Sequence, residues 1–330
     1  MKKTSLFTGI SGRLQDKAAV NWEVKLLNQY ASLLTGAHIR LILIAFLCGF
    51  WVSGGIASAQ QQPSLAGKIW SVRSETFVQP EQLSHKLDSG SWLFLGEQHD
   101  HPDHQRLATD WLKKLDAQNR LGVLALEMAR QSQQQQLDAA LGGGDVDPES
   151  LNWSEGWPWQ RYAELVREGL IRSQRVVGTD LDRDQQLRAY REGAARPAVS
   201  EAQAVALDEL IYQGHCEVLP REQLPQMRQV QLARDQAMAE VLARFSGAEG
   251  VSLFVTGAVH ARLDLGVARW LPGEVKVTSV LFQEVDRQHQ QPQDYLPKTV
   301  DGLPAADFLW FTPPARSAVD PCEEFRQTHP

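Results

Sequence analysis

Two histidines follow apolar runs at the same offset. Leu93-Phe94-Leu95-Gly96-Glu97-Gln98-His99 and Leu253-Phe254-Val255-Thr256-Gly257-Ala258-Val259-His260 share one plan, an apolar strand and then Gly-x-x-His. Glu127 closes a further apolar run, 122–126, and Asp180 stands just beyond Val176-Val177. Charged groups at the ends of apolar strands are costly to bury unless they are paired or hold a ligand. Glu97, His99, Glu127 and His260 together suit a divalent transition ion, or a base with its orienting partners, and the spacing does not choose between them. Singly, each has an ordinary use: either histidine could bond a loop carbonyl, and Glu127 could pair with Arg130 or Arg262.

Other residues extend this set. His104 lies on the apolar stripe of a helix with Leu107, Ala108, Trp111, Leu112 and Leu115, so it faces inward, as a satisfied core histidine would; His101 reads as solvent-facing. Arg234 shares a stripe with Met238, Val241, Leu242 and Phe245, and there it needs an acceptor: a sheet-end acid or the acidic group of a ligand. Trp153, Trp157 and Trp159 form either a ligand wall or a buried aromatic corner.

The elements that position these residues come next. Trp92–Leu95, 122–126, Val176-Val177, 251–255 and 275–282 read as strands with helical stretches between them, which argues for an α/β fold: a largely parallel sheet flanked by helices. Residues 200–245, rich in Ala, Leu and Gln with Pro220 and Pro225 as breakers, read as an all-helical insertion or cap. Residues 60–91 read as a lead-in with one short helix, Pro80 to Leu87; the main domain spans 92–312 and a tail 313–330. In open parallel sheets the ligand crevice lies outside the carboxyl ends of the strands. His260 and Arg262 are therefore expected in one crevice with His99, across the sheet from Glu127.

The chain begins with an extension. Leu41 to Val52 is an apolar run behind Arg40, followed by Ala57-Ser58-Ala59, which reads as a secretory signal cleaved after Ala59, with the protein periplasmic or membrane-associated. An uncleaved anchor is the alternative. Cys48 sits in that run, but Leu47 stands where lipoprotein processing wants a small residue. Removing residues 1–59 takes six Lys/Arg and two Asp/Glu from totals of 33 and 40, leaving a net charge of −11. That acidity disfavours nucleic acid as a partner. Cys216 and Cys322 remain; an oxidising compartment permits them to pair, and the sequence does not show whether they approach.

The segment 96–104, Gly-Glu-Gln-His-Asp-His-Pro-Asp-His, resembles the opening motif of the ChaN-like haem-binding (lipo)proteins of the Tiki superfamily. Glu127-Met128, Trp157-Pro158 with Tyr162, His215-Cys216, Arg234-Asp235 with Met238, and Gly257-x-x-His260-Ala261-Arg262 follow in the family's order, from about Lys68 to Thr312. Asp180 departs from it, standing where the family often carries a neutral amide. The resemblance implies an exported haem-binding protein linked to iron or haem uptake in the bacterial envelope, with haem between two subunits of a homodimer, envelope haem-uptake components as partners, and a tyrosine as iron ligand. Tyr162 is the first choice and Tyr212, near His215, the second, and each has the ordinary use of a core tyrosine as its alternative. His215 joins the binding candidates. A metal-dependent hydrolase of protease or esterase type, built on the two Gly-x-x-His elements, is the alternative function.

Overall fold

A computed structural model describes residues 65–143, 146–315 and 322–323; the apolar run, Cys48 and the expected cleavage position lie outside them. The strands are β1 (Ile69–Ser71), β2 (Thr76–Val78), β3 (Trp92–Glu97), β4 (Leu121–Arg130), β5 (Arg175–Asp180), β6 (Val251–Gly257), β7 (Val277–Glu284) and β8 (Phe308–Thr312). The helices are α1 (Pro80–His85), α2 (Pro102–Ala117), α3 (Gln134–Ala139), α4 (Trp159–Arg172), α5 (Arg183–Glu192), α6 (Glu201–Gly214), α7 (Leu224–Arg244) and α8 (Ala258–Ala261). The strands form one sheet in the order β2-β1-β8-β7-β3-β6-β4-β5. From β8 to β5 every neighbouring pair is parallel, and β1 pairs antiparallel with both β8 and β2. The fold is α/β, a mostly parallel sheet flanked by helices, as the alternation of strands and helices implies.

Alternation along the strands builds two cores. Leu93, Leu95, Leu124, Leu126, Leu253 and Val255 face one side, packed with Trp111 and Leu112 of α2 and with Leu165 and Val166 of α4. Trp92, Phe94, Val123, Ala125 and Phe254 face the other, under Met238, Ala239, Val241 and Leu242 of α7. Strands covered on both faces read as continuous apolar runs, which is why these stand out in the sequence. Burying each large apolar side chain contributes about 1.5–3 kcal/mol.

Within 200–245, α6 starts at Ser200, whose hydroxyl accepts from Gln203 N, and α7 follows a short turn of 3₁₀ helix. α6 packs on α7 through Leu207 and Leu232, with Leu265 and Val300 in the same cluster. Among the described residues no helix is long and apolar enough to cross a membrane. The sheet is wider than the five strands expected: the lead-in supplies β1 and β2, and 308–312 supplies β8. Cys216 and Cys322 form a disulfide with Cα atoms 5.2 Å apart, joining the turn after α6 to the C-terminal tail.

Candidate functional site

β3 and β6 are direct parallel neighbours, with Leu93 opposite Leu253, Leu95 opposite Val255 and Glu97 opposite Gly257. The two Gly-x-x-His elements therefore leave the sheet side by side. Beyond them opens a cleft of about 350 Å³ lined by Glu97, His99, Glu127, Arg234 and His260 from the strand ends and α7, and by Leu210, Ile211 and His215 at the end of α6. Asp180, one strand further on, reaches this group through Arg234.

Each carboxylate at the strand ends is already committed. Glu97 is 2 % exposed. Its Oε1 accepts from the Tyr162 hydroxyl at 2.7 Å and from His99 Nδ1 at 2.9 Å, and its Oε2 accepts from Gln105 at 3.0 Å. Glu127 sits where the β4 ladder breaks register between Leu126 and Arg130, which turns its side chain over the end of β6. Its Oε2 accepts from Gly257 N at 2.6 Å and Thr256 Oγ1 at 2.7 Å, and its Oε1 from Arg234 Nη2 at 2.6 Å. Arg234 also donates Nε to Asp180 Oδ1 at 2.8 Å. Burial alone would raise the Glu127 carboxyl, but the charges of His260, Arg234 and His99 outweigh it and hold it well below the usual carboxylate range. Burial opposes the charge on Arg234 too, and Asp180 and Glu127 overcome it, so the guanidinium is held charged.

The histidines are oriented from behind. His99 gives Nδ1 to Glu97, so Nε2 carries the lone pair; its side chain is 36 % exposed, which leaves it within reach of a ligand. Burial disfavours its protonation, yet the Glu97 hydrogen bond and the charges of Glu127 and Glu97 raise its pKa. Trp157 meets the His99 ring edge to face at 4.7 Å. A Cβ on Gly257 would come within 2.8 Å of His99 Nε2, so the bare glycine is what lets the ring lie against β6. His260 is 4 % exposed, with Nδ1 2.5 Å from Asp235 Oδ1 and Nε2 3.5 Å from Glu127 Oε1. Burial raises the Asp235 carboxyl. His215 gives Nδ1 to the Ile211 carbonyl at 2.7 Å, leaving Nε2 as its lone-pair nitrogen.

Several expectations are corrected by this geometry. Arg262 does not line the cleft; it is 7 % exposed and forks onto Asp264, with Nε to Oδ1 at 2.8 Å and Nη2 to Oδ2 at 2.6 Å. Glu127 accordingly pairs with neither Arg130 nor Arg262. His101 is not solvent-facing: it is 1 % exposed, stacks on His104 at 4.0 Å and bonds the Pro313 carbonyl. His104, by contrast, faces inward as a satisfied core histidine, as its stripe implies: Gln98 N donates to Nδ1 and Thr312 Oγ1 lies 3.0 Å from Nε2. Tyr162 is fully buried against Trp153 and Trp157, burial with the Glu97 charge drives its phenol pKa upward, and its hydroxyl donates to Glu97. Tyr212 is half-buried beyond the cleft wall with Arg221 on its ring face. Glu97, His99, Glu127 and His260 do not form an ion cage; among the described residues no three His, Cys, Asp or Glu are grouped to hold a metal. Arg234 supplies the positive charge that an ion would bring, and the other acceptor positions are filled by backbone, Tyr162 and Thr256.

Gln231 and the apolar wall of Leu210, Ile211 and Val259 line the cleft and Asp235 backs His260, positions that residue type and spacing alone do not mark. Arg234 and Asp235 are adjacent on α7 and so project about 100° apart, one toward the strand ends and the other toward α8. The adjacent Arg-Asp pair was the available signal.

Comparison with one solved structure agrees on the fold. The solved structure "Cofacial heme binding to ChaN of Campylobacter jejuni" is similar at 21 % identity and TM-score 0.60, over 73 % of this chain and 95 % of that one. A Bacillus cereus protein of solved structure is 12 % identical with TM-score 0.39, over 62 % and 69 % of the two chains, and an erythromycin esterase mutant in its open conformation is 11 % identical with TM-score 0.44, over 73 % and 95 %. No curated protein matches. Residues 83–271, more than half of the 330, match a family described as haem-binding uptake, Tiki superfamily, ChaN. The chain belongs to that family.

Proposed function

We propose that this protein binds haem in the strand-end cleft, as an exported component of haem or iron uptake in the bacterial envelope. The observation that carries the reading is that His99 and His215 line one cleft and each is fixed at Nδ1 by a second partner, which leaves Nε2 to an incoming iron. These two imidazoles would hold the haem iron, and Leu210, Ile211, Val259 and the edge of Trp157 suit the porphyrin face. The cleft is too small to enclose a porphyrin, so the haem would keep one face outside the chain. That fits a second copy laid against it, the homodimer that the family resemblance implies. Export rests on the apolar run ahead of Ala59, and envelope haem-uptake components are the expected partners. A metal-assisted hydrolase built on the same strand ends is the weaker reading, because the acids it would need are bonded to Arg234 and to backbone and side-chain donors.

Titrating haemin into residues 60–330 tests the reading. A saturable Soret shift at micromolar haem is expected, weakened in both His99→Ala and His215→Ala. A wild-type protein whose spectrum stays that of free haemin would end it.

A further inference from the structure

His215 is held in the cleft by an unusual end to α6. The helix stops at Gly214, and His215 is followed by Cys216 at φ 55° and Glu217 at φ 62°, two consecutive non-glycine residues in the left-handed region. That region carries a steric penalty for any L side chain, and a helix end that turns through it ordinarily uses glycine. Backbone bonds support the turn, with Glu217 N donating to the Tyr212 carbonyl at 3.0 Å and Cys216 N to Gln213 at 2.9 Å. Cys216 is also bonded to Cys322, 106 residues away in sequence. The crosslink thus adds a covalent tie to the residue next to His215, at a left-handed backbone position. The cleft wall formed by Leu210, Ile211, Gly214 and His215 is the last turn of this same helix.

We infer that the Cys216–Cys322 disulfide is the positioning element for His215, so that thiol–disulfide exchange at this bond sets how tightly the cleft holds its ligand. The inference rests on the haem reading for its ligand and on the α6 turn for its mechanism. Both cysteines are half-buried rather than enclosed, which leaves the bond open to attack. A dithiol reductant delivers two electrons and two protons: its thiolate attacks one sulfur, the mixed disulfide is resolved by its second thiol, and Cys216 and Cys322 emerge as thiols while the reductant leaves as a disulfide. With the tie cut, Cys216 and Glu217 relax from the left-handed region, the bond from His215 Nδ1 to the Ile211 carbonyl loses its fixed frame, and Nε2 is no longer presented as one tautomer in one place.

The test compares oxidised protein, anaerobically phosphine-reduced protein, and the Cys322→Ser and Cys216→Ser/Cys322→Ser variants, with circular dichroism confirming that each is folded. Two readouts are taken: haemin affinity, and the ring-nitrogen NMR signals of His215. Reduction and both variants are expected to weaken haemin binding by about tenfold, roughly 1.4 kcal/mol. In a His215→Ala background, reduction is expected to change the affinity no further. Ring-nitrogen shifts should show one Nδ1-protonated tautomer when oxidised and an average of two when reduced. Unchanged His215 signals on reduction, or equal affinity in both redox states of a protein that His215→Ala does weaken, would overturn the inference. Should the oxidised wild type bind no haemin, the haem reading fails while the NMR comparison still decides the positioning role.

Discussion

Arg234 Nη2 lies 2.6 Å from Glu127 Oε1, so a cation carried by α7 is set directly into the acid at the end of β4. The same guanidinium reaches Asp180 at the end of β5, closing two neighbouring strand ends with one residue. A buried pair of this kind is weak evidence of net stabilisation, but breaking it from one side leaves a charge buried without compensation.

Arg234→Met should accordingly cost about 3–5 kcal/mol in denaturant unfolding, since Glu127 and Asp180 would both lose their counter-charge. Adding Glu127→Gln to that variant is expected to recover part of the loss, because a neutral amide tolerates the site better than an unpaired carboxylate. A double variant no more stable than Arg234→Met would show that the charge is not what matters.

Tyr162→Phe removes one of the three donors to Glu97 while keeping the ring that packs against Trp153 and Trp157. The expected loss is about 1–3 kcal/mol, the cost of leaving a buried acceptor under-bonded. The Soret position of bound haem should be unchanged, since the hydroxyl faces Glu97. A shifted Soret band would restore Tyr162 as an iron ligand.

Two glycine substitutions should separate the site from the scaffold. At Gly257 a methyl group would press on His99 Nε2 at 2.8 Å, in a backbone with φ −61° that any residue accepts. Gly257→Ala is therefore expected to weaken haemin binding by about tenfold, about 1.4 kcal/mol, with little change in Tm. At Gly96 the methyl group would meet Leu281 at 2.6 Å and Ala261 at 2.8 Å in the core. Gly96→Ala should instead cost about 1–3 kcal/mol of stability by overpacking. Thermal melts and haemin titrations of both variants check the pair; the reverse pattern would mean that His99 is not held against β6.

Acid should loosen the junction between the loop after β3 and the end of β8. Burial, with the positive charge that His101 would carry beside it, lowers the His104 pKa to about 3, and the N–H that Gln98 donates to Nδ1 occupies a lone pair that a proton would otherwise take. An unfolded histidine titrates near 6.5, so between about pH 6.5 and 3 the unfolded chain binds a proton that the native state refuses, and stability falls with pH by up to about 1.4 kcal/mol per unit. Above about pH 6.5 this contribution is fully present. Urea unfolding at pH 7, 5.5 and 4.5 should show a steeper decline for wild type than for His104→Gln; equal slopes would refute the assignment.

Much of this protein is written locally. The two Gly-x-x-His elements, the acids at the strand ends and the stripe carrying Arg234 are legible because a two-sided buried strand must be apolar throughout and must end where polarity begins, and because a 3.6-residue period shows which face of a helix is buried. Those rules place Glu97, His99, Glu127 and His260 at the edge of one sheet. They say nothing about partners. Arg234 meets Glu127 and Asp180 across separations of 107 and 54 residues, and only the packing of α7 on the sheet brings them together. Arg262, two residues from Asp264, is diverted from the cleft by the turn after α8. His101 looks exposed by its neighbours yet is covered by Pro313, 212 residues away. The β1–β2 hairpin and β8 are too short to show a period, and they become strands because β7 offers an open edge for hydrogen bonding. The disulfide likewise depends on where the tail returns, since two cysteines can bridge only when their Cα atoms are brought within about 7 Å. Periodicity and residue type travel with the chain itself, whereas charge pairing, burial of single polar groups and crosslinks depend on distances that exist only after the elements have packed.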